Sequence, residues 1–443
     1  MNKRSSRRRF LQTGAALVGV AAGAISPASA QHDDHEGGGP ELPKGVIPAT
    51  GLRPLGVTSP YEKTARTGTA SEGMTPLQDL HGVITPNELH FYVNHEYGFI
   101  PSLDPKEYRL LIHGMVDRPL VFTLDELKRL PSVSRIQFLE CHGNGNLKTV
   151  QAGKTIQAVA GRTSCAEWTG VMLSLLLKEA GVRKDATWVL ATSYDTAGHA
   201  STIPMEKAMD DIIIAYAQNG EAVRLENGYP VRMVVPGWGG RVHVKWLKRL
   251  KAVDQPYYTT QDRAAEMPHG GAGEGAYLPF SAKGRAWQNE VYVKSVITCP
   301  SGGQQLQGPG FYEICGLAWS GSGKVRKVEV STDGGRTWKE AQLQEPVLSK
   351  AHTRFRFPWN WNGEETILQS RATDEVGETQ PTIGEMEKMW ASDETKACTN
   401  VLGEDCDKIR RRANRAYIYS WRVAKDGSVH NGIHFSPEVM KFG

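Results

Sequence analysis

Cys141 has the most distinctive chemical setting in this sequence. It follows a short apolar strand predicted over 136–139 and opens the glycine-rich turn Cys141-His142-Gly143-Asn144-Gly145-Asn146. A thiolate at the end of a strand, with glycines that let a bulky group approach, suits a nucleophile or a ligand for a soft metal. A cysteine in a strand is more often a buried structural thiol, so the turn alone leaves these three interpretations open.

The spacing of the other cysteines excludes two kinds of metal site. The chain has six cysteines, and none belongs to a Cys-x-x-Cys or a Cys-x-x-Cys-His motif. A covalently attached c-type haem and a zinc ribbon are therefore excluded, and we expect no haem in this chain. In an oxidising compartment, Cys299 with Cys315 and Cys398 with Cys406 are the local candidates for disulfides, and the sequence leaves both open.

The N-terminus predicts export of the folded protein. Arginines 7–9 precede Phe10 and Leu11, a mild apolar stretch covers 14–25, and small residues at 28–30 form a cleavage site. Residues 1–30 are thus predicted to be a twin-arginine signal, too short and glycine-rich to span a membrane. Removing their five cations takes the formal charge from +4 to −1. Because this route carries folded proteins, usually with an inserted cofactor, we expect a periplasmic redox protein.

Length and composition narrow the class of protein further. The chain has 443 residues, with 52 Lys and Arg against 48 Asp and Glu, and a mean hydropathy of −0.41. That length allows two or three domains. The near balance of charge and the low hydropathy disfavour a bulk nucleic-acid binder and a polytopic membrane protein.

The first half of the mature chain predicts an α+β domain. Residues 31–84 read as a polar leader, whose acidic and histidine run at 32–35 we interpret as solvated, and ordered sequence is expected to begin near Glu88. The predicted strands are 108–113, 136–139, 188–191 and 231–235. A helix is predicted over 171–180 and ends at Gly181. Strands and helices without regular alternation are typical of an α+β domain, placed at 85–285.

The second half, 286–443, predicts an immunoglobulin-like β-sandwich followed by a C-terminal arm. Its short strands are separated by turns and are predicted at 291–298, 311–319, 325–331, 337–343, 353–357 and 366–373. The turn Asp333-Gly334-Gly335 lies in an Asp-box pattern, which we interpret as a hairpin device because a single copy cannot place two acids about a sugar. Residues 386–416 are predicted to be a charged, helix-permissive insertion or arm.

Several spaced motifs resemble the sulfite oxidase family of molybdenum enzymes. They occur in the order that the family shows, and the similarity covers about 85–385. The motifs are Phe91-Tyr92-Val93-Asn94-His95, Leu139-Glu140-Cys141-His142-Gly143-Asn144, Gly228-Tyr229-Pro230-Val231-Arg232 and His243-Val244-Lys245-Trp246-Leu247. The resemblance implies a molybdopterin-binding domain followed by a β-sandwich that makes the dimer.

The resemblance also implies the cofactor and its ligands. The family holds molybdenum with one molybdopterin (a pyranopterin dithiolene) and one protein cysteine, which is Cys141 here, whereas Cys165 falls at a packing position. Cationic and polar side chains suit the cofactor's phosphate and pterin. The positions that match cofactor-contacting residues of the family, or lie beside them, are Asn94, His95, Asp195, Asn227, Arg232, His243 and Lys245.

The sequence departs from the family where sulfite would bind. Val93 stands where the family has an arginine, Gly145 and Asn146 replace arginines after the cysteine turn, and Asn227 replaces a histidine. Each lost charge-assisted bond costs about 1.5–3 kcal/mol, so free sulfite should bind poorly. This pattern is similar to the sulfane dehydrogenase branch of the family, which oxidises sulfane sulfur held as a persulfide on a carrier protein of the thiosulfate-oxidising (Sox) system.

The expected function is therefore molybdenum-dependent oxidation of carrier-bound sulfane sulfur to a sulfonate in the periplasm. The electrons would leave to a diheme c-type cytochrome subunit, and the chain would form the homodimeric core of a heterotetramer. The alternatives are a periplasmic sulfite dehydrogenase that binds sulfite through Arg241 or Arg263, and a non-catalytic scaffold. Nitrate reduction is disfavoured by the export signal and by the lack of attached haem and flavin domains.

Overall fold

The computed structural model describes residue 59 and residues 61–94, 100–195, 198–257, 290–391 and 416–434. The chain divides into a short unit, Met1–Glu62, and a large unit, Lys63–Gly443. The predicted signal at 1–30, the histidine run at 32–35, and the pair Cys398 and Cys406 lie outside the described residues. No helix within the described ranges is long and apolar enough to cross a membrane.

Between 63 and 257 the described residues form three β-sheets with short helices around them. The strands are β1 (Thr67–Gly68), β2 (Glu72–Met74), β3 (Tyr92–Val93), β4 (Leu110–Gly114), β5 (Leu120–Phe122), β6 (Val133–Glu140), β7 (Thr163–Met172), β8 (Trp188–Ser193), β9 (Ala200–Pro204), β10 (Ile213–Gln218), β11 (Glu221–Ala222), β12 (Arg232–Val234) and β13 (Leu247–Val253). The α-helices are α1 (Leu124–Lys128), α2 (Leu147–Ala152), α3 (Ile156–Ala160), α4 (Leu173–Ala180) and α5 (Met205–Asp210). Single 3₁₀ turns are Asn87–Leu89, Leu225–Asn227 and Gly240–Val242.

The strand order places the cysteine turn directly after the edge strand of one sheet. The sheets run β1-β2-β3, β11-β10-β7-β6 with β12 also paired to β10, and β5-β4-β13-β8-β9. Pairing is antiparallel except between β13 and β4, which are parallel. Strand β6 lies at the edge of its sheet, and its last residue, Glu140, precedes Cys141.

From 290 onward the described residues form a sandwich of two antiparallel sheets. The strands are β14 (Lys294–Cys299), β15 (Gly310–Trp319), β16 (Val325–Ser331), β17 (Lys339–Glu340), β18 (Gln342–Leu343), β19 (Thr353–Trp361), β20 (Thr366–Asp374), β21 (Ser420–Val423) and β22 (Val429–Asn431), and helix α6 covers Ile383–Ala391. The sheets run β14-β15-β19-β18 and β17-β16-β20-β21-β22. The α+β class and the β-sandwich predicted from the sequence are confirmed.

Local signals explain where two helices begin and end. Thr123 and Glu126 form a capping box at the start of α1, which satisfies two backbone donors. Helix α4 ends at Gly181, whose φ of 69° is favoured by glycine. The helix predicted over 171–180 begins two residues late because Val171 and Met172 complete β7, which pairs with β10.

Two sequence-based expectations are wrong, both for non-local reasons. The single strand predicted over 337–343 is two strands, because the chain crosses between the sheets at Ala341: β17 pairs with β16, and β18 pairs with β19. Within the described residues, regular structure begins at Thr67 rather than near Glu88, because β2 pairs with both β1 and β3. The last two strands, β21 and β22, lie in a stretch for which no strand was predicted.

One hydrophobic core continues from the cysteine strand into the sandwich. Phe138 of β6 and Ile156 of α3 are fully buried in the same cluster as Trp319, Phe355 and Trp421 of the sandwich. This shared core explains why the final four residues of β6, which end at Glu140, are all buried rather than alternating. The position of the cysteine turn therefore depends on both halves of the molecule.

Candidate functional site

The turn after β6 holds Cys141 through its own backbone. The Cys141 amide donates to Arg162 O at 2.9 Å, and Cys141 O accepts from the Asn144 amide at 2.9 Å. The Gly143 amide points at the sulfur at 3.3 Å. Cys141 is half-buried and lies outside any disulfide. Cys141 is therefore half-buried in a turn that three backbone N–H groups hold in place.

Glu140 places a buried carboxylate directly before this cysteine. Only 2% of the residue is exposed, and its carboxylate forms a 2.7 Å ion pair with Lys294. It also accepts from the Trp319 indole at 2.8 Å and from the Asn144 side chain at 3.0 Å. Because Lys294 and Trp319 belong to the sandwich, this network fixes the cysteine turn against the second half of the molecule.

Arg232 is a buried cation without an acidic partner among the described residues. It is 4% exposed, donates to Asn227 O at 2.8 Å and lies 4.9 Å above the centre of the Trp168 ring. Burial lowers its pKa to about 9. A buried guanidinium is costly unless an anion compensates it, so its position indicates a site for an anionic ligand.

Lys245 lies close to Arg232, and its ammonium donates hydrogen bonds to neutral acceptors. Its ammonium donates to Val93 O and Glu226 O, each at 2.9 Å, and to Asn94 Oδ1 at 2.5 Å. It forms no ion pair with a carboxylate in the described part of the chain. Burial, followed by the charge of Arg232, lowers the pKa of Lys245 to about 7. Two buried cations that form no ion pair within the described residues thus share one region.

Unpartnered polar atoms around these cations complete a cradle for a polar anion. Within the described residues, Arg232 Nε, Trp168 Nε1, His90 Nε2 and Asn227 Oδ1 are buried without a hydrogen-bond partner. Buried polar atoms are nearly always paired, so such a group of donors and acceptors suits a ligand that is both anionic and polar. A phosphate-bearing pterin has this chemistry, and a thiolate such as Cys141 is the ligand that a soft metal prefers. The residues present therefore fit a molybdopterin.

The structure brings together most of the residues predicted for the site. Asn94, Asn227, Arg232 and Lys245 contact one another directly or through the same backbone segments. The charge of Asp195 acts on Lys245, where it opposes the fall in pKa. The thiol of Cys141 acts on the same ammonium in the same direction. The predicted metal ligand and the cationic group are thus electrostatically coupled.

Two predicted residues differ from this pattern. His243 is 3% exposed, and its two ring nitrogens bond Val235 N at 3.2 Å and Trp238 O at 2.9 Å. Burial, followed by the charge of Arg232, lowers the pKa of His243 to about 3. Both nitrogens are thus used in holding the loop before β13, which makes His243 a positioning residue in this structure. His95 lies outside the described residues.

The sequence analysis assigned no role to Arg162, whose guanidinium and backbone amide both bond residues of the cysteine turn. Its guanidinium donates to Gly143 O at 3.2 Å and pairs with Glu72 at 2.6 Å, and its amide donates to Asn144 Oδ1 at 3.0 Å. A side chain at Gly143 would place Cβ 2.7 Å from this guanidinium and 3.6 Å from the Cys141 sulfur. The glycine in the turn is the only local signal, because Arg162 and Glu72 are distant in sequence.

His90 and Trp168 were also missed by the sequence analysis. Their rings meet edge to face, with centroids 5.7 Å apart, and the Arg232 guanidinium lies over the Trp168 ring. Burial lowers the pKa of His90 to about 3, so the ring is neutral at physiological pH. Neither residue belongs to a recognisable motif. In the sequence alone each resembles an ordinary aromatic residue of the core, and only the fold places it close to a buried cation.

Comparisons with known proteins agree with this geometry. Residues 97–261 match the family model of the oxidoreductase molybdopterin binding domain, and residues 285–393 match that of the Mo-co oxidoreductase dimerisation domain. The crystal structure of the sulfane dehydrogenase SoxCD from Paracoccus pantotrophus superposes with a TM-score of 0.74 and 35% identity, covering 89% of this chain and 96% of that chain. The chain belongs to the sulfite oxidase family of molybdenum oxidoreductases. The cysteine turn and the cationic cradle lie in the part that binds molybdopterin in this family.

Curated relatives within the sulfite oxidase family include larger enzymes. The NADH nitrate reductase of Solanum lycopersicum is 33% identical over 364 residues, which is 73% of this chain and 40% of that protein. Nitrate reductase 1 of Arabidopsis thaliana is 32% identical over 369 residues, or 73% of this chain and 39% of that protein. The chain thus spans about two fifths of the length of these relatives.

Removing either buried cation should weaken cofactor retention. In Arg232→Leu and Lys245→Met, each lost charge-assisted bond costs about 1.5–3 kcal/mol, equivalent to roughly a tenfold or greater loss of affinity. Molybdenum and pterin content per purified chain measures the effect. Lys248→Met is the matched control, because Lys248 is exposed and its ammonium lies 5.2 Å above the Tyr194 ring. Wild-type molybdenum content in both cradle variants would contradict the assignment.

The Glu140 network predicts a charge-specific pattern of stability. Lys294→Met leaves a buried carboxylate unpaired and should lower the free energy of unfolding by about 3–5 kcal/mol. The double variant Glu140→Gln with Lys294→Met removes both charges and should recover much of that loss. Urea denaturation of the full chain measures both, and Lys425→Met, at an exposed ion pair, is the control that should leave the stability nearly unchanged. A double variant no more stable than Lys294→Met would show that charge is not the cause.

Proposed function

We propose that this chain is the molybdenum subunit of a sulfane dehydrogenase, which oxidises a sulfane sulfur held as a persulfide on a carrier protein. The observation that carries the proposal is the similarity to SoxCD over nearly the full length of both chains. The residue pattern of the cysteine turn supports it, because that turn lacks the arginines with which the family binds a small oxyanion.

The backbone of the turn explains why an arginine is absent at one of these positions. Gly145 has a φ of 75°, where a side chain costs about 1–2 kcal/mol. Its carbonyl accepts from the Tyr417 hydroxyl of the C-terminal segment at 2.9 Å. Val93, at another of the three positions, offers its carbonyl to Lys245 rather than a cationic side chain. A pocket with less cationic charge suits a sulfur delivered on a protein better than a free anion.

Different residues of the chain would bind different parts of the cofactor. Arg232 and Lys245 would bind the phosphate and pterin through charge-assisted bonds, and Cys141 would provide the thiolate ligand. Glu140 keeps the turn in place through Lys294 and the neighbouring strand. When bound, the molybdenum cofactor takes up two electrons for each oxygen atom transferred to sulfur.

The overall reaction fixes how many electrons must leave. A carrier persulfide, R–S–S⁻, with three water molecules gives R–S–SO₃⁻, six protons and six electrons. A c-type cytochrome partner, here proposed to be diheme, would accept these electrons from a homodimeric core formed through the sandwich. The proposal includes export to the periplasm through the signal at 1–30 and the domain division at 85–285 and 286–443.

Oxidation of free sulfite is the second candidate, and one contact favours it. Gly240 packs against the cysteine turn so closely that a Cβ there would lie 3.1 Å from Cys141 Cα. Its neighbour Arg241 is the cation that the sequence analysis named for binding sulfite. Arg263, the other cation named, lies outside the described residues.

Parallel assays with the two substrates separate the two candidate functions. Molybdenum-loaded protein is mixed with ferricytochrome c and either a recombinant carrier protein bearing a cysteine persulfide or free sulfite. We expect cytochrome reduction with the carrier persulfide, accompanied by a mass gain of three oxygen atoms on the carrier, and a much higher KM for sulfite. Turnover of sulfite with the lower KM, or failure to oxidise the persulfide, would instead support a sulfite dehydrogenase.

Two cysteine variants control this assay. Cys141→Ser should fold but lose turnover of the carrier persulfide. Cys165→Ser should keep it, because Cys165 is a buried thiol whose contacts include the His352 amide at 3.5 Å. Wild-type turnover by Cys141→Ser would show that another residue holds the metal.

A further inference from the structure

Cys299 and Cys315 face each other across two neighbouring strands of the sandwich. Cys299 ends β14, Cys315 lies in β15, and the two are register partners. Directly opposed residues of antiparallel strands have Cα atoms about 4.5–5.5 Å apart, inside the range of about 4.4–6.8 Å that a disulfide requires. Both are partly exposed thiols in this structure. The pairing therefore brings the two thiols opposite each other, next to an irregularity in the ladder between Ile297 and Cys299.

A buried arginine points to Cys315 as a thiolate. Arg354 is 2% exposed and donates to Gly82 O at 2.7 Å and to Leu80 O at 3.1 Å. Its remaining terminal nitrogen lies 3.9 Å from the Cys315 sulfur. Arg354 pairs with no carboxylate among the described residues, so the sulfur is the group that can compensate its charge.

The groups around the pair make the two sulfurs chemically unequal. The neighbouring Cys299 thiol, together with Thr298 and the charges of Arg354 and Arg356, holds the pKa of Cys315 below its ordinary value. The neighbouring Cys315 sulfur and burial raise the pKa of Cys299. Glu313 lies nearby and pairs with Arg356. Low-pKa, accessible thiols beside a second thiol are typical of redox-active cysteines.

We propose that Cys299 and Cys315 are a redox-active dithiol that closes reversibly to a cross-strand disulfide, with Cys315 as the nucleophile. The co-reactant is a disulfide, either of a small thiol or of a thiol–disulfide oxidoreductase. This site is separate from the molybdopterin cradle and does not depend on which sulfur compound the enzyme oxidises.

The disulfide forms by two successive thiol–disulfide exchange steps. The Cys315 thiolate attacks the disulfide RS–SR, forming Cys315–S–SR and releasing RS⁻. Cys299 then loses its proton to that thiolate and attacks the Cys315 sulfur, forming the Cys299–Cys315 bond and releasing the second RS⁻. The pair loses two electrons, and RS–SR is reduced to one thiol and one thiolate.

The surroundings favour an easily reduced disulfide over a permanent structural one. Closure removes the negative charge on Cys315 and leaves Arg354 buried without compensation. Interactions that stabilise the dithiol form raise the reduction potential of the pair. The same argument predicts that loss of the Arg354 charge would make the disulfide harder to reduce.

The position of the pair connects it to the cysteine turn of the active site. The β14–β15 ladder that would be cross-linked also pairs Lys294 with Trp319 at its other end. Both of these residues bond Glu140 beside Cys141. Closure would therefore act on the same ladder that carries Lys294 and Trp319, the two partners of Glu140.

Reaction with glutathione disulfide tests the proposal in the full chain, read peptide by peptide by mass spectrometry after alkylation. The wild type should form the Cys299–Cys315 disulfide and reopen in reduced glutathione. Cys299→Ser should accumulate glutathione on Cys315. Alkylation of Cys315 in the wild-type dithiol should have its midpoint below that of an ordinary thiol, and at neutral pH Cys315 should react faster than Cys299.

Three controls make the result specific. Cys315→Ser should leave Cys299 slow to react, and Cys165, whose pKa burial raises to about 12, should stay unlabelled until the chain unfolds. Arg356→Met, at a partly exposed site, should move the alkylation midpoint of Cys315 upward without unfolding the chain. Faster reaction at Cys299, an alkylation midpoint above pH 8, or a disulfide that resists reduced glutathione would overturn the proposal.

Discussion

A charge buried in a protein must be compensated, and this constraint organises the chain. Glu140 is compensated within the protein by Lys294. Arg232 and Lys245 form no ion pair among the described residues, so an anionic ligand would compensate their charge. The same requirement explains why the site lies where two domains meet: the carboxylate that holds the cysteine turn belongs to one domain, and its cation belongs to the other.

The constraint also connects stability with function. An uncompensated cation in the cradle costs free energy in the unloaded protein, and binding of an anionic cofactor recovers that free energy. The cofactor is thus part of what stabilises this half of the molecule. Export of an already folded protein, as proposed from the N-terminal sequence, would agree with a cofactor inserted before export.

Local patterns in the sequence predicted the parts of the fold that are locally determined. The end of α4 at Gly181 and most sandwich strands follow from turn residues and alternation. The split between β17 and β18 could not be predicted, because alternation shows which residues face inward but not which sheet they join. The pairing of β2 with β3 likewise depends on a contact that no local window contains.

The site shows the same division. Cys141, Arg232 and Lys245 were found because motifs carry them. His90, Trp168 and Arg162 were missed because their roles arise only when distant segments meet. His243 illustrates the converse, since its motif position suggested a cofactor contact while the fold uses both of its nitrogens in the loop. A motif therefore locates a site, and the packing around it assigns the individual roles.

X-ray absorption at the molybdenum edge tests the central claim most directly, because it counts the sulfur atoms bound to the metal. The thiolate of Cys141 should provide one of these sulfurs in the loaded protein. Loaded Cys141→Ser should show one sulfur neighbour fewer, while Cys165→Ser should match the wild type. An unchanged sulfur count in Cys141→Ser would contradict the account.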